Sequence, residues 1–141
     1  MLARLPSDDL THEIIAASID VHRVLGPGLL ESVYSRCLQL ELSKRNLAFA
    51  TQIGIPLIYK DTRLDCAYRL DLVIERTVVV EVKALAALLP IHQAQVLTYL
   101  KATGLPVGLV INFNVERLVD GVKRVINPNP DPDLAATVVA R

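Results

Sequence analysis

Apolar residues recur at helical spacing from Leu10 to Leu25, where Ile15, Ile19 and His22 share a face; this predicts an opening helix capped by Thr11. Gly26-Pro27-Gly28 ends it, because two glycines and a proline cannot continue a helix cheaply. The helical period returns from about Leu29 to Arg45, with Val33, Cys37, Leu40 and Leu42 supplying the apolar side. From Leu47 the texture changes to short β-branched or aliphatic runs. Ile53–Tyr59, Cys66–Ile74 and Val78–Lys83 read as strands, parted by turns at Lys60-Asp61-Thr62 and Glu75-Arg76-Thr77. A third helix fits Ile91–Thr103, entered after Pro90 and closed by Gly104. Val107–Asn112 reads as a buried strand and Gly121–Ile126 as a weaker one. Pro128-Asn129-Pro130-Asp131-Pro132 cannot hold regular pairing. The chain therefore reads as a single domain over 1–127 and a proline-rich linker with a C-terminal tail over 128–141. The order α-α-β-β-β-α-β(-β) predicts an α/β fold with a central mixed sheet flanked by helices.

Composition agrees with a folded domain: 141 residues, 52% hydrophobic and 21% charged, suffice to bury a core. Fifteen basic residues balance fifteen acidic ones, so no net field draws the chain to a polyanion, although a local basic groove stays compatible with neutrality. Cys37 and Cys66 build neither a disulfide framework nor a CxxC metal motif and read as small buried hydrophobes in a reducing compartment. Met1–Pro6 holds no apolar stretch of signal-peptide length, and runs such as Val107–Ile111 are too short to span a bilayer. The expectation is a soluble, cytoplasmic protein.

Candidate chemistry concentrates in Tyr68–Ile74 and Val78–Lys83. Strand side chains alternate, so Val79, Glu81 and Lys83 share one face and Val78, Val80 and Val82 the other. Burying an acid and a lysine there without partners costs several kcal/mol, so something must meet them. With a three-residue hairpin loop, Glu75, Arg76 and Thr77, Asp71 stands opposite Glu81 on the same face; a two-residue loop would pair it with Val80. Two carboxylates so close repel unless a cation lies between them, and a hard ion such as Mg²⁺ suits an oxygen donor set completed by water and a phosphate. Lys83 would then neutralise phosphate charge or orient an attacking water. The residues alone favour a plainer account: a cross-strand ion pair of Glu81 or Asp71 with Lys83 or Arg69.

Asp71 followed across the hairpin by Glu81-Val82-Lys83 resembles the D–(D/E)xK signature of the PD-(D/E)xK nuclease superfamily. Gly28-Leu29-Leu30-Glu31-Ser32-Val33-Tyr34 resembles the motif that names the GxxExxY protein family, a small bacterial branch of that superfamily. The resemblance runs from Leu10 to Asn127 and takes in Val21-His22-Arg23, Leu89-Pro90-Ile91-His92 and Gly108–Asn114. Leu70 stands where the superfamily's name has proline. The resemblance implies a nuclease-like fold and a Mg²⁺ (or Mn²⁺) cofactor. It implies that Asp71, Glu81 and Glu31 bind metal, that Lys83 is the catalytic lysine, and that Gln95 and Tyr99 form a QxxxY motif assisting catalysis.

Several of these residues also have plainer roles. Glu31 in a first helical turn can simply favour the helix dipole. Gln95 and Tyr99, with His92 one turn earlier, make a polar stripe that either touches phosphate and lysine or is a hydrated face. Tyr34, three residues past Glu31, either faces the cleft or sits in the core with its hydroxyl satisfied. His22 fits a buried, hydrogen-bonded histidine better than a metal ligand. Gly26 and Gly28 serve the turn and do not cradle phosphate.

The leading functional reading is a metal-dependent nuclease hydrolysing phosphodiester bonds of DNA or RNA. The alternative is a catalytically silent nuclease-like fold acting as a nucleic-acid- or protein-binding or assembly module. A mean hydropathy of +0.38 makes an apolar homodimer interface a further expectation.

Overall fold

The structure, a computed structural model, describes residues 7–139, with Cys66, Ala67 and Val139 described by their backbone alone. The expectation for the Cys66 side chain therefore lies outside the described residues. Helices α1 (Ser7–Leu25) and α2 (Glu31–Lys44) precede strands β1 (Phe49–Tyr59), β2 (Thr62–Ile74) and β3 (Val78–Lys83). Then follow α3 (Pro90–Thr103), β4 (Val107–Asn112), a 3-10 turn at Leu118–Gly121, β5 (Val122–Ile126) and α4 (Pro132–Val139). The strands form one five-stranded sheet in the order β1-β2-β3-β4-β5. All neighbours are antiparallel except β3 and β4, which are parallel and joined through α3. This is the mixed, helix-flanked α/β sheet the sequence predicts.

Side-chain alternation sorts the core into two layers. Val78, Val80 and Val82 of β3, with Leu109 and Ile111 of β4, pack on Leu10, Ile14, Ala17 and Val21 of α1 and Tyr34, Leu38 and Leu42 of α2. Val79 and Val110 point the other way, toward Val96 and Leu100 of α3 and Ala135 of α4. The sheet is covered on both faces, as a parallel pair at its centre requires. Among the described residues no helix is long and apolar enough to cross a membrane.

Helix α1 and the C-terminal stretch differ from the sequence reading for physical reasons, and β1 and β2 start earlier than it has them. Helix α1 already runs at Ser7, so Thr11 is not its cap; the Thr11 hydroxyl lies within the helix and donates to the Asp8 carbonyl at 2.9 Å. The stretch read as linker and tail contains a helix. Asp131 accepts the Leu134 N–H at 3.1 Å and Pro132 occupies the first helical position, two N-terminal signals in a stretch rich in proline. Asp131 N–H in turn donates to the Gly104 carbonyl at 2.8 Å, which seats the segment against α3. Gly104, at φ 77°, ends α3 in the left-handed region, and a Cβ there would collide with the Asp131 carbonyl oxygen.

Candidate active site

Strands β2 and β3 are joined by a three-residue loop, Glu75–Thr77, closed by Thr77 N–H donating to the Ile74 carbonyl at 3.0 Å. Their register, Ile74 with Val78, Val73 with Val79 and Leu72 with Val80, brings Asp71 opposite Glu81. The ladder stops there, and the two carboxylates take over its hydrogen bonds crosswise. Asp71 N–H donates to Glu81 Oε2 at 2.9 Å, and Val82 N–H donates to Asp71 Oδ2 at 3.0 Å. On the other side, β1 pairing passes from Thr51–Leu72 to Ile53–Leu70 and skips Asp71, whose opposite number Gln52 adopts φ 51°. Asp71 thus marks the point where the β2–β3 ladder ends and the β1–β2 ladder skips one pair before resuming at Leu70.

Burial sets the electrostatics of this pair. Glu81 is only 6% exposed, and burial followed by the charge of Asp71 pushes its carboxyl up to about 7, against the hydrogen bond from Asp71 and the nearby Lys83 ammonium. Burial likewise raises Asp71, while the Val82 N–H and Lys83 pull it down. Glu31, the first residue of α2, is raised by loss of solvent and by Asp71, and lowered by Lys83. The charge of Lys83 therefore reaches all three carboxyl groups.

Among the described residues neither Asp71 nor Glu81 forms an ion pair with Lys83 or Arg69; the ion pairs present lie elsewhere, as at Arg45 with Glu13 and Asp20. The cross-strand ion pair that would account for these residues without function is not formed. Each carboxylate commits one oxygen to a backbone N–H, and no hydrogen bond among the described residues engages Asp71 Oδ1 or Glu81 Oε1. Free carboxylate oxygens on two facing residues are donors of the kind a hard divalent cation takes. Among the described residues, no three His, Cys, Asp or Glu groups close around one point, while Glu31 lies near enough for the charges of Lys83 and Asp71 to act on it.

Helix α3 brings Tyr99 to the same place. Its ring meets that of Tyr68 edge-on at 5.4 Å, and burial, then the charges of Glu81 and Asp71, raise its hydroxyl above the ordinary phenol range. That hydroxyl keeps its proton and is a hydrogen-bond donor. Gln95, one turn earlier, is exposed on the same side of α3. His92 is taken up by local structure: its Nδ1 accepts the Leu89 N–H at 2.9 Å at the start of α3. His22 is buried and its Nε2–H donates to the Val115 carbonyl at 2.8 Å.

Tyr34 is the clearest departure from a cleft role. It is fully buried, stacked on Phe113 with centroids 4.7 Å apart, and its hydroxyl donates to the Gly26 carbonyl at 2.6 Å while accepting the Leu29 N–H at 3.1 Å. Tyr34 thereby holds the turn in which Gly26 and Gly28 adopt φ 67° and 97°. Its effect on the site is indirect, through the placement of Glu31.

Asn112 and Asn114 escape the sequence reading as individual residues. Asn112 Oδ1 accepts from Leu85 N–H at 2.9 Å and from Asn114 N–H at 3.2 Å, while its Nδ2 donates to the Leu85 carbonyl at 3.0 Å. Asn114 accepts the Gly28 N–H at 3.0 Å and donates to the same Leu85 carbonyl at 3.3 Å. The two asparagines thus tie the exits of β3 and β4 to the loop that launches Glu31. Asn112→Ala leaves these groups without partners and is expected to cost about 2 kcal/mol, read as a lower urea midpoint. An unchanged midpoint would show that the clamp contributes nothing.

Compared with known proteins, residues 8–125 match the family model described as PD-(D/E)XK nuclease superfamily. No curated protein and no solved structure matches the chain.

Proposed function

The chain belongs to the PD-(D/E)XK nuclease superfamily, and from that premise we propose that it is a divalent-metal-dependent nuclease of the GxxExxY branch, hydrolysing phosphodiester bonds in nucleic acid. The observation that carries this reading is the crossed pair Asp71 and Glu81, each held by the other's strand and each with one oxygen free, with the charge of Lys83 upon both.

Asp71 and Glu81 are the residues that would hold the ion, Mg²⁺ or its substitute Mn²⁺. Bound there, the ion would supply charge stabilisation and a water of lowered pKa. Glu31 contributes negative charge from beside the pair and orients the water around it. The backbone bonds from Asp71 and Val82 fix both carboxylates before substrate arrives, so little reorganisation is left for the reaction step. Lys83 stabilises the charge that grows on the phosphoryl oxygens as water oxygen bonds to phosphorus and the bond to the departing sugar oxygen breaks. Tyr99 donates its hydroxyl hydrogen bond toward phosphate, and Gln95 adds a second polar contact on the same helix side.

The test is cleavage of labelled single- and double-stranded DNA and RNA in Mg²⁺ or Mn²⁺, with Asp71→Asn and Lys83→Ala alongside. The account expects metal-dependent cutting in the wild type and a loss on the order of 10²-fold or more in each variant. Cutting that survives both substitutions would place the activity elsewhere. No cutting of any substrate would move the protein to the silent, binding-module class.

A further inference from the structure

Tyr68 stands where strand alternation alone would not put it. Along β2, Leu72 and Ile74 pack in the layer of α1 and α2, and strict alternation would send Leu70 and Tyr68 to that same layer. They pack instead in the layer of α3. Strand β1 makes the same exchange: Phe49 lies against the first layer, whereas Ile53 and Ile55 lie in the second. Both strands change faces at one rung, where the ladder skips the pair Gln52–Asp71 and Gln52 takes φ 51°. The left-handed region is unfavourable for a residue with a side chain. Here it accompanies the exchange that lays the Tyr68 ring edge-on against Tyr99, with centroids 5.4 Å apart and 61° between the planes.

Tyr99 has little else to aim it. Its hydroxyl feels the charges of Glu81 and Asp71, yet no hydrogen bond among the described residues engages it. The side-chain bond made at Tyr99 goes to its carbonyl, which accepts the Thr103 hydroxyl at 2.9 Å. Tyr34, by contrast, has its hydroxyl fixed by two hydrogen bonds. The Tyr99 hydroxyl therefore points where packing holds its ring, and the aromatic ring in contact with it is that of Tyr68. Aromatic pairs favour an edge-on arrangement beyond what burial alone gives, so the contact has a preferred direction.

We propose that Tyr68 is a positioning residue: its ring, edge-on to Tyr99, aims the Tyr99 hydroxyl at the phosphate under attack beside Asp71 and Glu81. The inference rests on the nuclease reading above and adds to it a residue that acts through another. The ring of Tyr68 carries this role, not its hydroxyl, and Tyr68 itself touches no reacting atom.

The experiment takes two readouts on one set of variants: Tyr68→Phe, which keeps the ring, Tyr68→Leu, which removes it, Tyr99→Phe, and Tyr68→Leu combined with Tyr99→Phe. The first readout is kcat and KM in Mn²⁺ on labelled single- and double-stranded DNA and RNA. Tyr68→Phe is expected to match wild type, while Tyr68→Leu lowers kcat about 10-fold at nearly constant KM, the size an aromatic pair can contribute. In Tyr99→Phe no hydroxyl remains to be aimed, so Tyr68→Leu is expected to add no further loss there. Equal losses in both backgrounds, or a fully active Tyr68→Leu, overturn the proposal. So does a Tyr68→Phe as slow as Tyr68→Leu, which would give the Tyr68 hydroxyl a direct contact with substrate.

The second readout needs no cleavage. The chain has four tyrosines, and with their rings isotope-labelled, NMR relaxation of the metal-free protein reads how rigidly each is held. The Tyr99 signal, identified by its loss in Tyr99→Phe, is expected to be rigid in wild type and Tyr68→Phe and mobile in Tyr68→Leu. An unchanged signal from the buried Tyr34 marks an intact fold, and Tyr68→Met replaces Tyr68→Leu where that mark is lost. A Tyr99 ring equally rigid without its partner overturns the proposal. A protein that cuts no substrate refutes the nuclease reading, and the ring relaxation then decides by itself whether Tyr68 holds Tyr99.

Discussion

Glu81→Gln is expected to make the protein inactive and more stable at once. On the nuclease reading proposed above, removing a group that would help hold a charge-stabilising ion forfeits several kcal/mol of transition-state stabilisation, a slowing on the order of 10³-fold. The stability change has the opposite sign. In the metal-free fold, burial and Asp71 raise the Glu81 carboxyl from 4.5 to about 7, so the native state binds its proton more tightly than the unfolded chain does. Below pH 4.5 both states are protonated and the full stability is present. As pH rises through about 7 the native state must ionise a buried group, and about 3 kcal/mol is lost. Glutamine keeps an oxygen for the Asp71 N–H without that ionisation. The metal-free variant is therefore expected to exceed wild type by about 3 kcal/mol at pH 8, roughly 10 °C in melting temperature, and to match it near pH 4. Thermal melts of both proteins in EDTA across this range check it; parallel curves would mean Glu81 carries no such burden.

Phe113→Ala carries the largest expected cost to the fold itself. Phe113 is fully buried where β4 ends, stacks on Tyr34, and its own N–H donates to the Lys83 carbonyl at 2.9 Å. Truncating a buried aromatic of this size costs about 3–5 kcal/mol, because the lost burial and the cavity left behind add. In a chain of this length that lowers the melting temperature by roughly 10–20 °C. The backbone bond to Lys83 survives the substitution, but Tyr34 loses the ring that holds it under the Gly26–Gly28 turn. Weaker placement of Glu31 should follow, so activity measured well below the new melting point is expected to fall as well. A variant that melts within a few degrees of wild type would show that Tyr34 and Phe113 are not the keystone of this layer.

How far the sequence carries can be traced residue by residue. The facing of Asp71 and Glu81 was legible because alternation and a three-residue loop between two apolar runs leave few registers. The end of the β2–β3 ladder and the skipped β1 pair at Asp71 were not, since they go with the carboxylates bonding to backbone and with the left-handed Gln52 across the sheet. The early start of β2, at Thr62, is hidden because that hairpin arm is largely exposed and so lacks apolar alternation at Arg63 and Asp65, and that of β1, at Phe49, because exposed Thr51 and Gln52 interrupt its apolar pattern. Asn112 and Asn114 bond partners 27 to 86 residues away, a distance no local pattern encodes. Helix α4 was hidden by its prolines, although Asp131-Pro132 is a regular helix start.

The most direct test of the central claim is calorimetric titration of the metal-free protein with Mn²⁺ at pH 7, run in two buffers that differ in ionisation heat. If Asp71 and Glu81 form the ion site, Mn²⁺ binds and displaces the proton that Glu81 holds near neutrality. The heat then differs between buffers, and the difference vanishes in Glu81→Gln together with most of the affinity. Binding with the same heat in both buffers, undiminished in Glu81→Gln, would contradict the assignment.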